Sequence, residues 1–188
     1  MPQFVRQVPD GDGRERMVCS LCGHVAYKNP NVVVGTVVVE DGRVLLCRRA
    51  IAPRRGFWTL PAGFQEMGET LEEGAIREAL EETQADIVLD GVLAVFSISS
   101  IDQVQVFFRG RFAGPPSFAP TPESQVVALF SWDLIPWDAL AFPTITWALR
   151  AWHAGGPGPL GPAVGNPPED PRGTGRLPPD PPMPGSGP

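Results

Sequence analysis

Glu78, Glu81 and Glu82 stand one helical turn apart in the segment GFQEMGETLEEGAIREALEETQA, residues 63–85. At 100° per residue these three carboxylates fall within an arc of about 100° on one helix face. Like charges at this spacing repel and destabilise a bare helix. Such a face is either a solvated acidic surface or a place for something positive, and oxygen donors at this density suit a hard divalent cation such as Mg²⁺. Leu71, Ala75 and Ala79 make a separate apolar face that can pack on a sheet. Arg77, four residues after Glu73 and four before Glu81, can pair with either. Ahead of the helix, a Leu-Pro-Ala-Gly-Phe turn leads in, and Gly63 and Gly68 mark backbone that must bend tightly or approach something closely.

The segment resembles the Nudix box, G-x5-E-x7-R-E-U-x-E-E-x-G-U, where U is apolar: Gly63, Glu69, Arg77, Glu78, Ala79, Glu81, Glu82 and Ala85 fall on its fixed positions. Gln84 stands where the box has its second glycine. A glycine there ends the helix in the left-handed conformation, and another residue costs on the order of 1 kcal/mol. The departure bears on the loop Gln84–Asp86, not on the carboxylate face. The resemblance implies that Glu78, Glu81 and Glu82 ligate Mg²⁺ or Mn²⁺, that Glu81 and Glu82 serve catalysis, that Arg77 orients a catalytic glutamate, and that Glu69 supports the loop–helix structure. It implies a hydrolase that cleaves the diphosphate bond of a nucleoside diphosphate linked to another moiety. Metal ions neutralise the oxygens of such a substrate and lower the pKa of a bound water. A carboxylate must accept that water's proton. A box glutamate or Glu123, in a Thr-Pro-Glu-Ser loop before a strand, is the candidate. Arg48 and Arg54, with Arg49 and Arg55, are candidate phosphate contacts, and Gly63 is assigned to the substrate-binding backbone.

The likeness continues in Cys19-Ser-Leu-Cys22-Gly23-His24, in Leu45–Arg49, in Gly56–Phe64 and in Ile135–Thr144, and spans about residues 9–152. These stretches resemble the zinc-ribbon subgroup of the family, whose bacterial and plant members are associated with ADP-ribose and FAD. The S-Q-P-W-P-F-P-x-S motif of the NADH pyrophosphatases is not found. A structural zinc needs four ligands, and only one C-x-x-C is present. Cys47, in a strand, reads as a small buried hydrophobe. The ribbon is therefore expected to be partial, with Cys19 and Cys22 as free thiols and a structural Zn²⁺ as the alternative. Two other functions compete with the diphosphatase: a nucleoside triphosphate pyrophosphohydrolase, and a non-catalytic nucleotide-sensing Nudix domain. The intact glutamates favour the enzymes.

The elements that must carry these residues can be read from the patterning. Val32–Glu40 is β-branched and continuously apolar, like a strand covered on both faces. Asp41-Gly42 marks a hairpin, returning as Arg43–Arg49. Phe57–Leu60 reads as a short strand, and Thr70 opens the helix with Glu73 at capping-box spacing. Val92–Ser97, Gln103–Phe112 and Val126–Trp132 read as strands, and Thr144–Trp152 as a closing helix. The expected fold is α/β, the Nudix fold of mixed sheets sandwiched between helices, with a short N-terminal partial zinc-ribbon segment. The expected divisions are residues 1–30 for that segment, 31–153 for the catalytic domain, and 154–188 for a disordered tail, because 21 of its 35 residues are Gly or Pro and bury too little to offset ordering entropy. A net charge of −6 argues against nucleic acid as partner. There is no apolar run of membrane-spanning length and no signal-peptide h-region. The expected setting is cytoplasmic, on a small-molecule nucleotide, with a homodimer as a possible assembly.

Overall fold

Val32 to Glu40 contains seven β-branched residues, interrupted by Gly35, and the chain spends them on the central strand of its main sheet. The computed structural model describes residues 3–175. The chain divides into two compact units, Met1–Pro30 and Asn31–Pro188.

The first unit is a three-stranded antiparallel sheet, where the sequence showed only turn formers. Strands β1 (Phe4–Gln7), β2 (Arg16–Cys19) and β3 (Val25–Ala26) lie in the order β1-β2-β3. Cys19 N–H donates to His24 O at 2.8 Å and Gly23 N–H to Cys19 O at 2.9 Å, closing a tight loop around the C-x-x-C. Gly23 sits at φ +73°, where a glycine avoids strain. Strands of two to four residues leave almost no periodicity to read, which is why the sheet escaped the sequence.

In the second unit the strands are β4 (Asn31–Glu40), β5 (Arg43–Arg49), β6 (Trp58–Thr59), β7 (Ala62–Phe64), β8 (Ile87–Ile98), β9 (Gln103–Phe112) and β10 (Ser124–Ser131). Helix α1 is Leu71–Thr83 and helix α2 is Pro143–Gly155. The sheet runs β10-β5-β4-β9-β8, with β6 on β5 and β7 on β4. Asp41 and Gly42 both have positive φ, 48° and 72°, as the two-residue hairpin requires. One edge of β4 is divided: β7 pairs with Val33–Gly35, and β5 with Val39–Glu40. The other edge pairs in parallel with β9.

Alternate residues of the sheet face opposite helices. Val34, Val106 and Phe108 pack with Ala75 of α1, and Val38 and Leu45 with Ala79. Val37, Leu46, Phe96 and Phe107 pack with Ile145, Ala148 and Leu149 of α2. The mixed α/β sandwich is thus present. Among the described residues no helix is long and apolar enough to cross a membrane.

The tail departs from its expected disorder over the part that is described. Val164 O accepts from Val95 N–H and Val164 N–H donates to Leu93 O, at 2.8 and 3.0 Å. The Asn166 amide mimics a peptide, accepting from Ser97 N–H and donating to Ser97 O, both at 2.8 Å. Ser99 N–H donates to Arg172 O at 2.9 Å. A Gly/Pro-rich chain is a poor helix but an adequate extended strap, and edge β8 offers it a row of unpaired backbone groups. The remaining tail residues, 176–188, lie outside the described residues.

Candidate active site

Helix α1 begins with the expected capping box. Thr70 Oγ1 accepts from Glu73 N–H at 3.1 Å, and the Glu73 carboxylate accepts from Thr70 N–H at 2.7 Å. Glu73 is thereby spent on the cap. The helix ends on Gln84 at φ 56°, ψ 19°, the left-handed conformation that the missing glycine would have taken. Its N–H donates to Leu80 O, and its side-chain amide donates to Pro120 O at 3.2 Å, which helps offset the strain. The helix therefore ends as the box requires despite the substitution.

Arg77 organises the loop ahead of the helix. It grips Glu69 with two bonds, Nε at 3.0 Å and Nη2 at 2.8 Å, and Nη2 also donates to Phe64 O at 3.0 Å. Its Nη1 reaches Glu78 at 2.7 Å and Glu81 at 3.0 Å. Of the two partners expected from spacing, Glu81 is engaged and Glu73 is not. Arg77 beside it and the Glu66 N–H hold the Glu69 carboxyl down at about 2, and the carboxylates around Arg77 hold its guanidinium above its usual range.

The three glutamates differ in depth. Glu78 and Glu82 are buried, 9% and 5% exposed, while Glu81 faces outward. Glu78 lies against the Cα of Gly63, and a Cβ there would collide with its carboxylate. The box glycine is thus the floor on which a metal-ligand candidate rests. Glu82 reaches the fork where β5 and β7 part from β4: it accepts from Ala62 N–H at 3.0 Å, and Cys47 Sγ lies 3.7 Å from the same oxygen. Burial pushes the Glu82 carboxyl up to about 7, opposed by the Ala62 N–H and reinforced by the charge of Glu78. Burial also raises Glu78, against the pull of Arg77. Burial raises the Cys47 thiol well above its usual value, with the Glu82 charge adding to it.

Glu123 arrives from the facing loop. Ala119 N–H donates to Thr83 O at 2.9 Å and Ala50 N–H to Glu123 O at 2.7 Å, tying this loop to α1 and to the residue after β5. The Glu123 side chain is exposed, and its charge is felt by both Glu78 and Glu82.

The arginines separate. Arg48 is exposed and donates to Gly56 O at 2.8 Å. Arg49 donates to Pro53 O at 2.8 Å, lies over the Phe142 ring at 5.3 Å, and exerts a charge that lowers Glu82. Arg54, expected to meet substrate phosphates, is instead 2% exposed, stacked on Phe57 at 3.5 Å and bonded to Ala141 O at 3.2 Å. A guanidinium so enclosed clasps the loop 50–57 and does not present itself to a ligand in this conformation. The sequence could not separate the buried Arg54 from the exposed Arg48. It also missed the Ala62 amide and Cys47 as neighbours of Glu82, since both come from strands distant in sequence.

As placed, no group of three or more His, Cys, Asp or Glu side chains among the described residues is gathered closely enough to hold a metal ion. Glu78 and Glu81 are turned to Arg77 and Glu82 to the Ala62 amide. The chemistry of the donor set nonetheless fits a hard cation: two buried carboxylates raise each other's affinity for a proton, and a divalent ion satisfies both at once. In the first unit, Cys19 and Cys22 form no disulfide. The Leu21 N–H, the Cys22 N–H and the Cys22 thiol donate to Cys19 and hold it below its usual value, an arrangement that favours thiolate.

In sequence, the chain is 39% identical over 71 residues to an ADP-ribose pyrophosphatase of Methanocaldococcus jannaschii, covering 38% of this chain and 42% of that protein. It is 40% identical over 82 residues to a MutT-like protein of Streptomyces ambofaciens, covering 44% and 51%. The chain thus matches about half the length of these relatives. In structure, it resembles a NUDIX hydrolase from Nitrosomonas europaea, 40% identical with a TM-score of 0.79, covering 87% of this chain and 93% of that one. Residues 3–28 match the family model described as Nudix N-terminal, a zinc ribbon. Residues 28–150, from just after the last strand of the small sheet to the middle of α2, match the NUDIX domain model, and with the box glutamates seated on α1 the chain belongs to the Nudix family.

Proposed function

We propose that the protein is a metal-dependent hydrolase cleaving the diphosphate bond of a nucleoside diphosphate linked to another moiety, with ADP-ribose and FAD as the leading substrates. The observation that carries this reading is the burial of two carboxylates one helical turn apart, Glu78 against Gly63 and Glu82 on the Ala62 amide. A solvated acidic surface has no reason to bury two carboxylates, because burial of a charge is costly unless something compensates it. The Methanocaldococcus relative supports ADP-ribose by its name.

On this reading Glu78, Glu81 and Glu82 hold Mg²⁺ or Mn²⁺. A bound divalent cation supplies charge neutralisation at the diphosphate oxygens and a more acidic water. The rest is done by the chain. Arg77 holds Glu78 and Glu81 and fixes the loop 64–69 against α1. Arg49 and Arg48 neutralise substrate phosphate. Glu123, exposed and close enough to influence Glu78 and Glu82, accepts the proton of the attacking water. The acidic net charge favours a small nucleotide over nucleic acid. We place the enzyme in the cytoplasm, with a homodimer as its candidate assembly.

A triphosphate pyrophosphohydrolase would use the same carboxylates, and a sensor would bind nucleotide without turnover. The test is a panel of ADP-ribose, FAD, NADH and nucleoside triphosphates with Mg²⁺ and with Mn²⁺, products separated by chromatography. ADP-ribose or FAD should give two monophosphates. Preferred release of pyrophosphate from a triphosphate would move the substrate class, and no turnover of any member would favour the sensor.

A further inference from the structure

The strap along β8 ends in a loop, Asp170–Gly175, that does more than cover an edge. The Asp170 carboxylate accepts from Thr174 N–H at 2.8 Å and from Gly175 N–H at 2.9 Å, closing the loop on itself. Gly173 is buried at φ +61°, so close to Ile98 and Ser97 O that a Cβ would come within 2.7 Å of both. Ser100 Oγ donates to Gly173 O at 2.9 Å. This loop forms one side of a cavity of about 380 Å³, at the small end of the range for ligand pockets. Ile98, Ile101, Phe142 and Trp147 supply apolar walls, and Gln105 and Thr144 supply polar groups.

Those two polar groups are not spent inside the protein. Gln105 donates to Gln103 at 2.9 Å, leaving its Oε1 without a partner among the described residues. Thr144 is 4% exposed, lines the cavity, and its hydroxyl has no hydrogen-bond partner among the described residues. Apolar, aromatic walls with a few convergent hydrogen-bonding groups are what a planar heterocycle requires.

The cavity lies on the α2 face of the sheet and the glutamates on the α1 face, so the path between them runs round the strands that part beside Gly63. Gln105 pairs across the sheet with Val33, and Val33 with Phe64, the residue after Gly63. Two strand spacings separate them, about 10 Å. Arg49 links the two: its guanidinium lies over Phe142 of the cavity, and its charge acts on Glu82. A nucleoside in the cavity would therefore send its phosphates past Arg49 towards α1.

We propose that the Asp170–Gly175 loop is a specificity-determining wall of the active site, closing this cavity over the nucleoside half of the diphosphate substrate. The proposal rests on the diphosphatase reading. The C-terminal segment thereby belongs to the substrate site and is not an appendage.

The test uses the full chain, wild type beside Asp170→Ala, which unlatches the loop, and Thr144→Val, which keeps the loop and removes one hydroxyl. KM and kcat are measured with ADP-ribose and Mg²⁺, and AMP binding without metal by quenching of tryptophan fluorescence. Asp170→Ala should raise both the KM for ADP-ribose and the Kd for AMP about tenfold with kcat within about twofold. Thr144→Val should move the same two quantities in the same direction by a smaller factor, with melting temperature unchanged. If Asp170→Ala lowers only melting temperature and leaves KM and Kd as in wild type, the loop is a strap and the proposal falls. A gain in kcat/KM would show that the loop blocks the cavity, and would also overturn it. AMP binding weakened by both variants in a protein that hydrolyses no diphosphate would support the cavity and remove the diphosphatase reading. Hydrolysis intact with no variant effect would do the reverse.

Discussion

The Ala62 N–H donates to a Glu82 carboxylate oxygen at 3.0 Å, so the strand that begins beside the glycine floor also holds the innermost carboxylate of α1. That single bond is not enough to keep the group in its ordinary range. Burial is the larger influence, and the Glu82 carboxyl reaches about 7.

A pH dependence of stability follows. A carboxyl raised on folding from 4.5 to about 7 favours the folded state below 4.5 and loses that contribution as pH rises through 7. Metal-free protein should lose on the order of 3 kcal/mol between pH 5 and pH 8 from this group. Glu78, raised in the same direction, adds to the loss. Glu69, whose carboxyl sits at about 2, changes stability only below its unfolded value and contributes little over this window. Urea unfolding in EDTA at the two pH values, on wild type and Glu82→Gln, checks this. The variant should show a much flatter dependence, and equal slopes would count against the shift.

Glu82→Gln and Glu123→Gln should separate ligand from base. Both should lower kcat, Glu123→Gln by about 10²–10⁴ as for loss of a general base. The distinction lies in the metal: Glu82→Gln should also raise the Mg²⁺ or Mn²⁺ concentration giving half-maximal rate, whereas Glu123→Gln should leave it unchanged. Full activity of Glu82→Gln, or of wild type in excess EDTA, would remove the metal-dependent hydrolase.

Gly63→Ala places a methyl group where the Glu78 carboxylate lies. Backbone and carboxylate cannot both keep their positions, so Glu78 must move. A substitution of this size into an occupied space costs about 1–3 kcal/mol, and activity should fall more steeply than stability does. Circular dichroism melting beside a metal titration distinguishes the two effects; an active Gly63→Ala enzyme with wild-type metal affinity would show that Glu78 is not a ligand.

The C-x-x-C offers two ligands where a closed structural zinc site takes four. Purified chain should carry much less than one zinc per molecule, and Cys19→Ser with Cys22→Ser should cost little stability. Elemental analysis of both proteins decides it. Stoichiometric zinc that disappears in the variant would mean that ligands from elsewhere complete the ribbon.

Legibility varied with the range of the interactions. The limits of β5 and β9 coincide with Arg43–Arg49 and Gln103–Phe112, because each is a single apolar or alternating run between turn formers. The capping box at Thr70 and Glu73 is local, and so was visible. What the sequence concealed is what depends on other strands. The enclosure of Arg54 depends on a carbonyl at Ala141. The neighbourhood of Glu82 depends on Cys47 and Ala62. The three-residue strand β7 exists because β4 offers it an edge. The tail misled through composition: Asn166 and Val164 are few, but they bond to the β8 edge, and composition counts residues without knowing what faces them.

The parallel register of β4 with β9 has a consequence for how the molecule is made. Asn31 meets Gln103, a partner synthesised roughly seventy residues later. Helix α1 carries its own caps but is short and bears like charges on one face, so it depends on a sheet face that is unfinished under Ala75 until Val106 and Phe108 arrive. During synthesis the glutamate-bearing helix therefore precedes its platform. Gly63 and Glu78 are made within fifteen residues of each other, while the strands that complete the sheet beneath their helix follow later.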